Sequence, residues 1–528
     1  MMQPTLLPDL LTFSAQKSPQ TIALIDGQSH WTYSELAHAT VSIASGLMRL
    51  RIKRFDRVGI YLEKRQEAVV ASFAAPMAGA VFVPINPLLK TDQVTHILRD
   101  CNVRVLITSP ERLDSLNLID CHDLCHIVVC TDSTINHTAS DAWELASWSD
   151  LLNSPFQAGH RVIDTDLAAI LYTSGSTGKP KGVMLSHRNM VAGAISVASY
   201  LDNKSDDTLL AVLPLSFDAG FSQLTTAFLA GARVVLLNYL LPCDVIKAME
   251  TEKVTGLTAV PSLYLQLAAL DWPEAIGQNL RYFANTGGHL PRVVLATLRQ
   301  LAPNAKPFLM YGLTEAFRST FLQPQEVDNR PDSIGKAIPN ADVLVLRADG
   351  SECAPDEPGE LVHRGSLVGM GYWNDFEKTD ERFRVLPKSL SGLQLPEIAV
   401  FSGDTVRRDA DGYLYFVCRR DEMIKTSGYR VSPTEVEDVV YATRQVGECV
   451  AFGVPHATLG QSIQIVATHA HHATSQKDVL FECRSHMPAY MVPVGIEWRD
   501  GPLPRNPNGK IDRQLVLREW LACHPMIS

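Results

Sequence analysis

Between about residue 56 and residue 310, near-continuous apolar runs alternate with stretches of helical period, and this alternation limits the chain to few architectures. Residues 58–62, 81–85, 103–108, 168–171, 209–213, 234–237, 257–260, 282–285 and 308–311 read as strands, with helices over 66–78 and 91–100. Strands with no polar face, separated by helices, predict mostly parallel sheets covered on both sides. The 528 residues allow three to four units at about 150 residues each and need no disulfide or metal to stabilise a core.

From about residue 341 the rhythm changes. Residues 343–347 and 360–363 flank an Asp349-Gly350 turn, and Asp411-Gly412 precedes a run over 413–417, so hairpin-type β structure is expected there. A charged stretch, Arg419-Arg420-Asp421-Glu422, then separates the body from a final compact α+β unit. In that unit Ser432 and Pro433 open a helix over 433–441, followed by strands over 450–454 and 463–470 and a helix over 477–486. The expected division is 1–420 and 421–528.

Composition excludes several classes. Forty-seven Lys and Arg against 57 Asp and Glu give a net charge of −10, opposite to a nucleic-acid footprint. The most apolar stretch, 69–85, contains Ser72, Pro76, Gly79 and Pro84 and reads as helix, turn and strand rather than a membrane span. The N-terminus lacks the basic and apolar regions of a secretion signal, and the 10 cysteines are scattered, so a cytoplasmic location is expected. Cys121, His122, Cys125, His126 and Cys130 could reach a zinc ion. The apolar run 127–129 would send successive side chains to opposite faces, and a buried connection is the preferred reading.

The strongest local signal is Tyr172-Thr173-Ser174-Gly175-Ser176-Thr177-Gly178-Lys179-Pro180-Lys181-Gly182, directly after an apolar strand. Its glycines permit close backbone approach to an anion, and its hydroxyls and lysines supply donors and charge. Pro180 stands where a P-loop needs Ser or Thr. Downstream, Tyr311-Gly312-Leu313-Thr314-Glu315 offers a ring, a hydroxyl and a carboxylate able to hold Mg²⁺. Ser402-Gly403-Asp404 places a carboxylate suited to two ribose hydroxyls, Arg419 lies before the break, and a turn-rich loop over 503–511 presents Lys510.

In this order, and with Trp31-Thr32-Tyr33-Ser34-Glu35-Leu36, Val83-Pro84-Ile85-Asn86-Pro87, Gly371-Tyr372-Trp373 and Gly428-Tyr429-Arg430-Val431-Ser432-Pro433, the chain resembles the adenylate-forming superfamily over nearly its whole length. That superfamily includes acyl-CoA synthetases, firefly luciferase and the adenylation domains of nonribosomal peptide synthetases. The wording over 86–90, 315–320 and 330–335 is similar to AMP-forming acyl-CoA ligases of exosortase A systems, and also to stand-alone prolyl-carrier-protein ligases.

The resemblance implies a large N-terminal domain of packed, mostly parallel sheets with helices plus a small β-barrel, and a small mobile α+β C-terminal domain hinged at Asp421. It implies ATP-dependent activation of a small carboxylic acid, pyrophosphate release, then transfer to the thiol of coenzyme A or of a carrier-protein phosphopantetheine. Under it, Thr173, Ser174, Gly175, Ser176, Thr177, Gly178 and Lys181 grip phosphates, Thr314 touches phosphate and Glu315 holds Mg²⁺. Gly287, Gly288 and Tyr311 border adenine, Asp404 binds the ribose hydroxyls, Arg419 binds ribose or phosphate, Lys510 catalyses adenylation, and Gly428 lines the thiol tunnel. The chain ends 18 residues past Lys510, so a carrier is expected in trans.

Two departures stand out. Cys418 occupies the place where the superfamily has Gly before its Arg. At Phe217-Asp218, amino-acid-activating relatives use the carboxylate to pair with the substrate ammonium. Asp218 also stands before a helical pattern over 219–229, where it would act as an N-cap. Both readings stay open from the sequence.

Overall fold

The structure is a computed structural model, and it describes residues 3–131, 143–173, 180–387, 390, 392, 394–419, 422–426, 429–456, 459–470 and 475–524. Among the described residues, strands form three sheets. The first has seven strands in the order Glu144–Ser147, His126–Val129, Val103–Thr108, Arg57–Tyr61, Val81–Pro84, Leu167–Thr173 and Lys181–Ser186. All its pairings are parallel except the last, in which Thr173 lies opposite Lys181. Thr173 and Lys181 therefore end the two strands of a hairpin.

The second sheet has fourteen strands. Six neighbours are parallel: Ile22–Asp26, Arg233–Leu236, Thr208–Ala211, Gly256–Ala259, Tyr282–Asn285 and Lys306–Tyr311. Their burial on both faces explains why they read as unbroken apolar runs. Beyond Lys306–Tyr311 the pairing turns antiparallel through Thr320–Leu322, Ser333–Ala337, Leu414–Arg419, Ile398–Arg408, Gly359–Gly365 and Ala341–Leu346. The strands expected as the small β-barrel of this domain are hydrogen-bonded to the large sheet as its antiparallel continuation. Thr320–Leu322 and Ser333–Ala337 carry the ladder across.

The main core lies between these two sheets. Helices Tyr33–Arg49, Gln66–Ala78, His187–Tyr200 and Asp218–Ala230 fill it. Thr32 and Glu35 form a capping box that starts the first of these, and Gly79, at φ 87°, ends the second in the left-handed region glycine favours. Phe82 of the first sheet meets Phe221 of helix Asp218–Ala230 at 4.9 Å between ring centroids, and Phe73 stacks on Phe221 at 5.7 Å. These rings lock the helix carrying Asp218 against the neighbouring sheet.

The third sheet contains Tyr429–Val431, Ile424–Thr426, Gly460–His469, Val446–His456 and Gly495–Trp498. Helices Pro433–Ala442 and Gln476–His486 cover one face, and Val516 of helix Arg513–Cys523 packs on the other. Ser432 caps the first of these helices by accepting from Glu435 N. Among the described residues no helix is long and apolar enough to cross a membrane.

Candidate functional site

Of the predicted residues that the structure describes, Gly287, Gly288, Tyr311, Thr314 and Glu315 lie at or just past the carboxyl ends of parallel strands of the large sheet. Strand Tyr282–Asn285 ends at Thr286-Gly287-Gly288, and strand Lys306–Tyr311 runs into a short 3₁₀ turn, Thr314–Ala316. Tyr311 donates its hydroxyl to Asp404 Oδ2 at 2.6 Å, and Arg419 Nε lies 3.3 Å from Asp404 Oδ1. Asp404 and Arg419 are brought together by the antiparallel register of their strands, in which they stand opposite one another. Burial pushes the Tyr311 hydroxyl far above the usual phenol value, and the adjoining Asp404 carboxylate adds to this.

Thr314 is buried, and Glu315 is half-buried. Tyr372 donates to Glu315 Oε1 at 2.5 Å. Lys181 Nζ lies 5.7 Å from the Tyr372 ring centroid, which links the start of strand Lys181–Ser186 to the same patch. Burial holds the Lys181 ammonium below its ordinary value. Ser174, Gly175, Ser176, Thr177 and Gly178 lie outside the described residues, as do Asp421 and Gly428. Thr173 and Lys181 are the paired residues that flank the loop.

Lys510 is far away in sequence yet reaches this group. Its loop is held by its own hydrogen bonds, Asn506 N to Lys510 O at 2.8 Å and Lys510 N to Asn506 Oδ1 at 3.1 Å. Two residues of the larger body pin it. Asn86 Nδ2 donates to Pro507 O and Ser262 Oγ donates to Gly509 O, each at 2.7 Å. The Lys510 ammonium lies 5.1 Å from the centroid of Phe217. A Cβ built on Gly287, whose φ is +81°, would fall 2.5 Å from Lys510 Cε, so the lysine occupies space that any other residue at 287 would fill. Burial lowers the Lys510 value, and the nearby charges of Asp218, Arg419, Arg318 and Asp404 act on it. One cation thus sits among the residues expected to border acid, ribose and phosphate.

Asp218 does not take the N-cap role that the sequence left open. Its helix begins at Asp218 itself, the N-cap is Phe217, and no side chain caps it. The Asp218 carboxylate turns instead to Arg318 Nη1, at 2.6 Å, with side-chain exposures of 3% and 2%. Thr314 Oγ1 lies 3.5 Å from its other oxygen. A guanidinium already holds the carboxylate that an ammonium would need.

Arg318, Tyr372, Asn86 and Ser262 carry the site's geometry, and motif reading gives none of them a role. Arg318 left a signal: one charged residue inside the small and apolar run Ala316-Phe317-Arg318-Ser319-Thr320. A charged residue in such a stretch needs a partner if the stretch is buried.

The donor set fits nucleotide and Mg²⁺ chemistry. Glu315 offers hard carboxylate oxygen of the kind Mg²⁺ takes, and the Gly287 turn leaves open backbone beside Lys510. The chain matches the AMP-binding enzyme family over residues 11–373 and the AMP-binding enzyme C-terminal domain over 435–510. It is 30% identical to a linear gramicidin synthase protein of Brevibacillus parabrevis over 96% of this chain but 9% of that protein. The chain therefore spans less than a tenth of that relative's length. It is also 30% identical to a feruloyl-CoA synthase of Amycolatopsis sp, covering 96% of this chain and 97% of that one. The solved structure of an anthranilate CoA ligase in complex with anthranoyl-AMP has the same fold, with a TM-score of 0.87 at 24% identity over 98% of this chain and 97% of that one. By these matches, which run from Leu11 to Lys510, the chain belongs to the family of AMP-binding enzymes.

Proposed function

We propose that this chain is an AMP-forming acid–thiol ligase. A carboxylate oxygen of the substrate attacks the α-phosphorus of ATP, the bond to the β-phosphate breaks, and pyrophosphate leaves. A thiolate sulfur then attacks the acyl carbonyl of the adenylate, and AMP leaves as the thioester forms. The observation that carries this reading is Lys510, whose ammonium lies within reach of Phe217 and in the field of Asp218, Asp404 and Arg419.

The roles follow from charge and position. Two anions must approach for the first step, and a single fixed cation between them offsets the repulsion. Lys510 fills that role. Asp404 accepts the ribose hydroxyls, oriented by Tyr311 and Arg419. Thr314 and the 173–181 segment, with Lys181 and the glycine-rich residues between, contact phosphate. Gly287 and Gly288 border the base. Glu315 would hold Mg²⁺, which when bound would neutralise charge on the phosphates. Residues 1–420 form the ATP- and acid-binding part, and 421–528 the part that delivers Lys510 and then withdraws it by turning at Asp421, bringing Gly428 to the thiol path.

Coenzyme A is the preferred thiol, supported by the full-length likeness to a feruloyl-CoA synthase. Loading of a carrier protein is the second reading, supported by the likeness to gramicidin synthases. The amine-binding form of that reading is weakened by the Asp218–Arg318 pair. ATP–pyrophosphate exchange across fatty, aryl, hydroxy and amino acids tests the first step, and AMP release with coenzyme A tests the second. Exchange with no acid counts against the reaction. Exchange without AMP release on adding coenzyme A favours a carrier.

A further inference from the structure

Arg318 is one of the largest fully buried side chains in the protein. Its Nη1 donates to Asp218 Oδ2 at 2.6 Å and to Phe317 O at 2.9 Å. Its Nε has no hydrogen-bond partner among the described residues. Buried donors are almost always paired, so this one needs an explanation. Arg318 also lines a small cavity of about 10 Å³ with Ala219, Ser222, Thr258 and Met310, room for about one water. The cavity shares Arg318 with the site already described: Asp218 joins Arg318 to Thr314, Ala219 follows Asp218, and Met310 precedes Tyr311.

We propose that Arg318 is a specificity-determining residue and that the acid activated here carries a small uncharged oxygen, a hydroxyl or a keto group, which accepts a hydrogen bond from Arg318 Nε in this cavity. The inference rests on the ligase reading and names its substrate class. Three alternatives fail on charge or satisfaction. A plain alkyl chain entering the cavity leaves the Nε–H without an acceptor. An ammonium must compete with Arg318 for a carboxylate whose two oxygens already face Arg318 and Thr314. A second carboxylate adds an uncompensated charge, because Asp218 and Arg318 together are neutral. A neutral oxygen of the size of the water it replaces satisfies the donor and leaves the charge balance unchanged.

The test is ATP–pyrophosphate exchange with sets of acids on one carbon skeleton: plain, hydroxy and keto forms with the oxygen placed at successive carbons, the amino form and the dicarboxylic form. Sites built around such a bond reject analogues lacking it strongly, so the best hydroxy or keto acid should exceed the plain acid by at least about a hundredfold in kcat/KM. Arg318→Met strands the Asp218 charge and risks misfolding, so it is made together with Asp218→Asn. In that variant the ratio of oxygenated to plain acid should fall to near one. Equal use of plain and oxygenated acids by the wild type overturns the proposal, as does preference for the amino or dicarboxylic form, or an unchanged ratio in the double variant. Each of these leaves the ligase reading standing. Exchange with none of the acids overturns that reading and the proposal with it.

Discussion

His289 Nε2 lies 2.9 Å from Asp438 Oδ1 and ties the turn after strand Tyr282–Asn285 to helix Pro433–Ala442. It fastens the Lys510-bearing part to the nucleotide-side glycines, next to Gly287-Gly288. Burial disfavours the charged imidazole, but the adjacent Asp438 carboxylate, with Asp332 and Glu437 nearby, outweighs it and raises the His289 value above 6.5. Arg292 also acts on Asp438.

A raised histidine value fixes the sign of the pH effect. The pair's contribution is complete below the unfolded-state value and is lost as pH rises through the higher, folded-state value. The arrangement with Lys510 in the site should therefore loosen as pH climbs above 6.5. Fluorescence transfer between labels on the two parts should report a transition in that range, and Asp438→Asn should remove it. The same transition in the Asp438→Asn protein would mean that another group carries the pH dependence.

Lys510→Ala should abolish adenylate formation and spare thioester formation from supplied acyl-adenylate. Losing one preorganised charge donor at a phosphoryl-transfer site costs about 3–4 kcal/mol, or roughly a hundred- to a thousandfold in rate. The loop remains fastened by Asn86 and Ser262, whose bonds go to backbone carbonyls and not to the lysine side chain. Rapid-quench measurement of the two half-reactions separates the roles. Equal losses in both would refute the assignment.

Gly287→Ala should damage adenylation more than stability. The new methyl meets Lys510 Cε at 2.5 Å, and that flexible end can move aside. The folded protein then carries the left-handed backbone of residue 287 without glycine, a cost of about 1–2 kcal/mol. Lys510 is pushed from its place over Phe217, so pyrophosphate exchange should drop by about the same factor as in Lys510→Ala while the melting temperature falls by only a few degrees. Near-normal exchange would show that the lysine finds another path.

Much of this arrangement is legible in the chain because it depends on local rules. The strands 282–285 and 103–108 and the helices 66–78 and 91–100 are bounded in the sequence as they are in the fold, since buried parallel strands and a glycine stop leave clear marks. The continuity of the antiparallel strands with the large sheet has no such mark. It depends on which neighbours Thr320–Leu322 and Ser333–Ala337 choose, and short strands state no partner. The cap reading at Asp218, one of the two the sequence left open, failed for the same reason. The residue has good cap chemistry, but Arg318, a hundred positions away, offers a buried opposite charge, and that long-range contact overrides the local preference.

The Asp218–Arg318 pair gives a stability prediction that separates it from a helix cap. Loss of a cap costs about 1 kcal/mol. Removing one partner of a buried pair leaves an uncompensated charge and costs about 3–5 kcal/mol. Both side chains are almost fully buried, at 3% and 2% exposure, so solvent offers little relief. Asp218→Ala and Arg318→Met should each destabilise the body by the larger amount, measured as a loss in denaturant midpoint. The double variant Asp218→Asn with Arg318→Met should recover most of it, because replacing both charges removes the stranded ion as well as the pair. A loss near 1 kcal/mol for Asp218→Ala, with no recovery in the double variant, would return Asp218 to the role of a cap and remove the structural basis for an arginine-read substrate.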